Sequence, residues 1–299
     1  MKWFDRFRFL LLIAVLCLAS LLVGCDPDGS VLATLTPTVS VLPSVTVAPV
    51  APTANNIDSS NVGVDSFTRA APPVVGGSNG GTVTPTPAPT EASLAMSFIT
   101  ADSLSIAATY YVGPTRPSPV ILLLHMNGSN KESWRLFATQ LQTSGYSVLA
   151  IDLRGHGETG GKADWNKAPA DIVEVLNQLH NLPGIDPARI SVIGADIGAN
   201  LAIRACADWQ ACKSVVMISP AVNYLGVAAL DPLSRYGAKP VLIVASRDDK
   251  PSGTDSSTLD KAAKGNHTLQ LYPGANHGIG LLSAQPDLPA LIVQWLLSH

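Results

Sequence analysis

Charge is sparse in this chain. Asp, Glu, Lys and Arg make up 14% of its 299 residues, and the 19 basic side chains are fewer than the 22 acidic ones. A net charge of -3 leaves no basic footprint, which argues against nucleic acid or an anionic surface as a partner. Cysteine is rare too: there are four, and no two pairs have the spacing of a zinc site. No nucleotide, flavin or metal motif is present. The run from Gly194 to Gly198 lacks the acidic residue that a dinucleotide fingerprint places after the following strand, so no cofactor is expected. No internal repeat is visible. Trp134, Trp165, Trp209 and Trp295 follow no binding pattern and read as packing residues.

What is present divides the chain in three. Lys2, Arg6 and Arg8 precede an apolar stretch from Phe9 to Val23, the length of a signal h-region and short for a membrane span. Leu22-Val23-Gly24-Cys25 then resembles a lipobox, with Asp26, Pro27 and Asp28 directly after it. The resemblance implies a signal peptide over 1–24 that takes Cys17 with it. Cys25 would then be the lipidated (palmitate-bearing) first residue of a mature lipoprotein on the extracytoplasmic face of the cell membrane. Residues 25–90 are rich in Pro, Thr, Ser, Val and Ala, with segments such as Thr82 to Pro89, and show no sustained periodicity. Proline interrupts both helix and sheet ladders, so this stretch is expected to be a disordered tether. Residues 91–299 are expected to be globular. There Cys206 and Cys212 remain, an even pair in an oxidising compartment; they are either a small disulfide or two buried thiols.

From Leu94 onward, apolar runs alternate with helical patterns. Strands are expected at Leu94–Thr100, Leu104–Val112, Val120–His125, Ser147–Asp152, Ile190–Gly194, Ser214–Ser219, Pro240–Ser246 and His267–Tyr272. Helices are expected at Lys131–Ser144, Ala168–Asn181, Ile197–Ala207 and Leu288–Ser298. Strands without polar alternation, separated by helices, predict an α/β fold: a mostly parallel sheet with helices on both faces.

Four motifs carry chemistry. Gly194-Ala195-Asp196-Ile197-Gly198 lies between a strand and a helix. Ser246-Arg247-Asp248-Asp249 follows a later strand, and Tyr272-Pro273-Gly274-Ala275-Asn276-His277-Gly278 follows the last. Leu124-His125-Met126-Asn127-Gly128 ends an early one. Together they resemble the α/β-hydrolase superfamily, closest to its dienelactone-hydrolase-like and esterase-like members: the G-x-S-x-G nucleophile elbow, the acid, the histidine loop and the oxyanion loop, in the family's chain order. The resemblance covers about two-thirds of the chain. It implies a nucleophile position at Asp196, the acid at Asp249 with Asp248 second, and the base at His277. Backbone N–H groups at Asn127 and Ile197 would face a developing oxyanion. Asp152 to Glu158 matches a further family turn, read as structural, and His125 and His156 read as loop-orienting. His180, His267 and His299 carry no motif and are expected at the surface. Pro220–Ala238 leaves little room for a cap.

The departure from the family is Asp196, where it has serine. A carboxylate needs no base for its own activation. It attacks ester carbonyls poorly, because a mixed anhydride is a high-energy intermediate, but it suits displacement at saturated carbon. Three readings follow: a hydrolase of small ester-like substrates; an Asp-nucleophile hydrolase resembling haloalkane dehalogenases or epoxide hydrolases; or a catalytically silent domain that binds a ligand or a partner. Asn127 sits where dehalogenases place a halide contact, whereas Ile197 replaces the Trp they carry after the nucleophile. Two carboxylates beside one imidazole are also expected to raise the pKa of His277.

Overall fold

The computed structural model describes residues 93–299. The signal segment, Cys25 and the tether lie outside the described residues. Among the described residues ten strands form. Eight build one sheet: β1 (Ser93–Ile99), β2 (Ser105–Tyr111), β3 (Ser118–Leu124), β4 (Ser147–Ile151), β5 (Ile185–Ala195), β6 (Cys212–Ile218), β9 (Val241–Ser246) and β10 (His267–Tyr272); β7 (Asn223–Tyr224) and β8 (Val227–Ala228) pair with each other. The spatial order is β1-β2-β4-β3-β5-β6-β9-β10. The β1–β2 and β2–β4 pairs are antiparallel, and every later pair is parallel. This is the mostly parallel sheet that the alternation of strands and helices predicts, in the α/β-hydrolase arrangement that the resemblance implies.

The central strands read as unbroken apolar runs because both faces are covered. Along β3, Val120, Leu122 and Leu124 point into one core, and Ile121 and Leu123 into the other. Along β6, Val215 and Met217 join the first core, and Val216 and Ile218 the second. Helices α2 (Ala168–His180), α3 (Ile197–Asp208), α4 (Leu230–Tyr236) and α5 (Ser252–Ala262) supply residues to the first face. Helices α1 (Arg135–Thr143), α6 (Gly280–Ala284) and α7 (Leu288–Ser298) close the second. Among the described residues no helix is long and apolar enough to cross a membrane.

Several details differ from expectation. The expected helix from Lys131 opens instead with a 3-10 turn, Lys131–Trp134, where the Asn130 side chain accepts the Glu132 N–H at 3.1 Å. Strand β5 starts five residues earlier than Ile190, with an irregularity in its register. Helices α4, α5 and α6 are new. Helix α5 hides because its sequence is polar: the only large apolar side chain it buries is Leu259, beside Ser252, Gly253 and Ser256. A Cβ on Gly253 would meet the Ser246 oxygen at 2.5 Å, so glycine lets this helix lie against the end of β9. Pro220–Ala238 folds into a small hairpin, Asn223–Tyr224 with Val227–Ala228, and then α4, which packs on α3. The buried Asn200 ties this segment down: its side-chain amide donates to Ala221 O at 2.9 Å and Val227 O at 2.7 Å, and its oxygen accepts the Ala221 N–H at 3.1 Å.

The cysteine alternatives resolve as a disulfide: Cys206 near the end of α3 is bonded to Cys212 at the start of β6.

Candidate active site

The chain reaches Asp196 at the end of β5 and turns sharply into α3. Asp196 has φ 55° and ψ -121°, a strained conformation for a residue with a Cβ. Its N–H is held by Ile218 O on the neighbouring strand at 2.9 Å. The flanking glycines are required by space. A Cβ on Gly194 would stand 2.0 Å from Gly198 O, and one on Gly198 would stand 2.3 Å from Leu124 O. Helix, strand and turn can approach this closely only without those side chains. Asp196 does not cap its helix with its own side chain; its carboxylate is turned to other partners.

Those partners come from two loops. Asn127 N–H donates to Asp196 Oδ2 at 3.1 Å. His277 Nε2 lies 3.4 Å from Asp196 Oδ1. On the far side of the ring, His277 Nδ1 is 2.8 Å from Asp249 Oδ2. Asp196 and Asp249 are each 8% exposed, so both carboxylates meet the ring largely out of water. The structure thus brings Asp196, Asp249 and His277 together, with the Asn127 backbone beside them. Asp248, the second choice for the acid, is exposed, and Asp249 alone reaches the ring. Ile197 is the first residue of α3, directly after the elbow, and its side chain is buried in the core.

The electrostatics follow from this placement. The Asp196 carboxylate facing Nε2 favours the imidazolium most, and Asp249 adds to it against the opposing effect of burial. The His277 pKa is pushed up to about 9, in the direction expected of two carboxylates on one ring. The two side-chain carboxyl groups thus favour the protonated ring between them.

Two serines to which no motif assigns a role hold the histidine loop. Ser219, at φ 50° after β6, accepts the Gly278 N–H on its Oγ at 2.9 Å. Ser246, the last residue of β9, donates its hydroxyl to Asn276 O at 2.8 Å. Their one signal in the sequence is position: each is a serine ending an apolar strand next to the site.

The remaining histidines divide. His125 and His156 hold loops, as their motifs imply: the Leu153 N–H donates to His125 Nε2 at 2.9 Å, and Gly128 N–H reaches His156 Nε2 at 3.4 Å. His267 is exposed. His299 is half-buried, its ring stacked on Trp295. His180 is half-buried as well, its ring edge-on to Trp209, because the end of α2 packs beside that side chain. The turn at Asp152 is structural: the buried Asp152 carboxylate accepts the Lys131 N–H at 2.7 Å, Lys131 Nζ at 3.0 Å and the Glu158 N–H at 2.8 Å. Among the described residues no group of three or more His, Cys, Asp or Glu is arranged to hold a metal.

Comparison with known proteins agrees with this fold. A family model described as the alpha/beta hydrolase family matches residues 121–238. Esterase FrsA of Pectobacterium atrosepticum is 26% identical over 187 residues, which are 60% of this chain and 41% of FrsA. The Pyrococcus furiosus esterase Pf2001 superposes with a TM-score of 0.59 at 19% identity, covering 69% of this chain and 90% of that one. Dienelactone hydrolase from Anabaena variabilis gives a TM-score of 0.57 at 18% identity, covering 69% and 97%. The two structural likenesses show the fold. The chain spans less than half the length of the enzymes and toxins it matches in sequence.

Proposed function

We propose that this chain, a member of the α/β-hydrolase superfamily, is a hydrolase of small substrates in which Asp196 is the nucleophile, held on the extracytoplasmic face of a membrane by lipid on Cys25. One observation carries the catalytic part. The two oxygens of Asp196 are divided, Oδ2 on the Asn127 N–H and Oδ1 toward His277 Nε2. A nucleophilic carboxylate uses that division: one oxygen attacks beside the histidine that later activates water, and the other is held where charge later develops.

The steps balance as the hydrolysis of R–X to R–OH and HX. Oδ1 displaces X from a saturated carbon, and an alkyl ester forms on Asp196. The carboxylate charge beside His277 is then gone. The ring loses the largest cause of its raised pKa and releases its proton to X or to solvent. Neutral Nε2 next takes a proton from water as that water attacks Cγ. The negative oxygen that forms is Oδ2, already on the Asn127 N–H; the N–H of Ile197 is the second donor. Asp249 stabilises the new imidazolium. Collapse releases R–OH and restores the Asp196 carboxylate.

A second reading, hydrolysis of carboxylic or dienelactone-like esters, is favoured by the relatives FrsA, Pf2001 and dienelactone hydrolase. It requires the substrate carbonyl to displace Oδ2 from the Asn127 N–H.

The test is turnover in ¹⁸O-water by residues 91–299, on a panel of alkyl halides, epoxides and short p-nitrophenyl esters. The protein is then digested and the Asp196 peptide weighed. Label in the Asp196 carboxylate, absent in His277→Ala, supports the nucleophile. Turnover of esters without label favours the second reading. If the natural protein turns over nothing and Asp196→Ser hydrolyses esters, the domain is silent and binds a ligand or partner instead.

A further inference from the structure

The loop that presents the Asn127 N–H carries a second reactive group, the Asn127 side-chain amide. Among the described residues Asn127-Gly128 is the only asparagine followed by glycine, and both residues are exposed. They form the corner of a tight turn, closed by Ser129 N–H donating to Met126 O at 3.2 Å. Gly128 has φ 70°, and a Cβ built on it would meet nothing within 4 Å, so the space beside its backbone is open. The Asn127 side chain has no hydrogen-bond partner among the described residues. Nothing therefore ties its carbonyl carbon, Cγ, away from the next backbone nitrogen.

That nitrogen has a base beside it. His156 Nε2 lies 3.4 Å from the Gly128 nitrogen, and His156 Nδ1 lies 3.0 Å from Arg154 O. A carbonyl oxygen only accepts, so Nδ1 carries the proton and Nε2 turns its lone pair to the Gly128 N–H. A resting contact of this length tightens as the proton is transferred.

We propose that Asn127-Gly128 is a self-modification site, at which the Gly128 nitrogen attacks Asn127 Cγ with His156 as the base and the loop deamidates. The N–Cγ bond forms, Nε2 takes the Gly128 proton and returns it to the leaving amide nitrogen, and ammonia departs from a cyclic imide. Water then opens the imide. Opening at Cγ leaves an aspartate, and opening at the main-chain carbonyl leaves an isoaspartate; water is consumed and ammonia released in either case. Both products put a further carboxylate on the loop whose N–H holds Asp196 Oδ2. Isoaspartate also lengthens the main chain inside the turn by a carbon atom, which spoils the bond from Ser129 to Met126 and the aim of the Asn127 N–H. The loss of turnover that follows rests on the reading of Asn127 and Asp196 given above; the modification does not.

The test ages the full chain in neutral buffer, folded and in urea. The Asn127 peptide is then followed by mass and by an isoaspartyl methyltransferase, and turnover is read on the same samples relative to fresh protein. Asn79-Gly80 lies outside the described residues and is read from its own peptide. The Asn127 peptide is expected to exchange amide for acid and gain isoaspartate faster in the folded protein than in urea, with turnover falling in step. A glutamine amide oxygen falls near Nε2, so His156→Gln keeps an acceptor for the Gly128 N–H and loses the base. It is expected to slow conversion of the folded protein roughly 100-fold and to leave the rate in urea alone. An Asn127 peptide that stays intact in the folded protein while it converts in urea overturns the proposal. Equal folded rates in the natural protein and His156→Gln overturn the role of His156, and full conversion with undiminished turnover overturns the consequence for the site. If His156→Gln does not fold, the natural protein decides: slower conversion folded than in urea overturns the base. If fresh protein turns over nothing in the panel above, the functional reading fails, while mass and methylation still judge the modification.

Discussion

Serine and aspartate at the elbow differ by more than nucleophilicity. A serine hydroxyl would leave the Asn127 N–H open to a substrate oxygen. The longer, charged side chain of Asp196 takes that N–H itself and pairs with His277. The pair makes the site sensitive to pH. The pKa of His277 rises from the ordinary 6.5 to about 9 on folding. The sign is that of a group with a raised folded pKa. Its stabilising contribution is fully present below about 6.5 and is lost as pH rises through about 9. The ring is 35% exposed, so solvent screens the effect and the contribution is modest. Melting temperature is therefore expected to fall as pH rises from 6.5 past 9, and to fall less in His277→Ala. In an NMR titration of the natural protein, His277 should titrate near 9. In Asp196→Asn it should titrate lower, with Asp249 alone still holding it up. A natural-protein value at or below that of free histidine would contradict the ion pair.

At the scale of elements, the elbow depends on β5, α3 and β3 lying unusually close together. Gly198→Ala drives a Cβ to 2.3 Å from a backbone oxygen on β3, which no rotamer change can relieve. It should destabilise the domain by about 1–3 kcal/mol, read as a lower urea midpoint, with the His277 resonance displaced as well. The disulfide works at the opposite end of α3. It closes a short loop, six residues apart in sequence. Loop-closure entropy for so short a loop gives about 2 kcal/mol. Cys206→Ser with Cys212→Ser should therefore lower the melting temperature by several degrees. A reductant should do the same to the natural protein and nothing further to the double variant. Equal stability of all three would show that the bond contributes nothing.

At the scale of the whole molecule, the proposed arrangement is a membrane anchor, a tether and a hydrolase domain. Cys25→Ser in the full chain is expected to move the protein from the membrane fraction to the soluble one, with turnover per molecule unchanged. Retention at the membrane would mean that the apolar stretch from Phe9 to Val23 is itself the anchor. Within the domain, the two cores lie on opposite faces of one sheet, and the site sits where β3, β5 and β9 end. Asn127, Asp196 and Asp249 come from sequence positions more than 120 residues apart in all, and meet because parallel strands all end on the same edge.

Much of this was legible in the residues. Apolar runs without alternation, such as Val120 to Leu124, require a sheet covered on both faces. Glycines two before and two after Asp196 mark a turn whose backbone must pass close to its neighbours. Polar helices were not legible, because α5 is held by small side chains against the end of a strand rather than by an apolar stripe. The sequence by itself determined the order of the sheet strands and of the helices with apolar stripes, since periodicity and turn chemistry are local properties, and its resemblance to a family implied which residues would meet. Three things were decided only by the tertiary structure: Asp249 over Asp248, the bonding of Cys206 to Cys212, and the occupation of the Asn127 N–H by Asp196. Each depends on distances between segments far apart in the chain, and a linear pattern carries no distances.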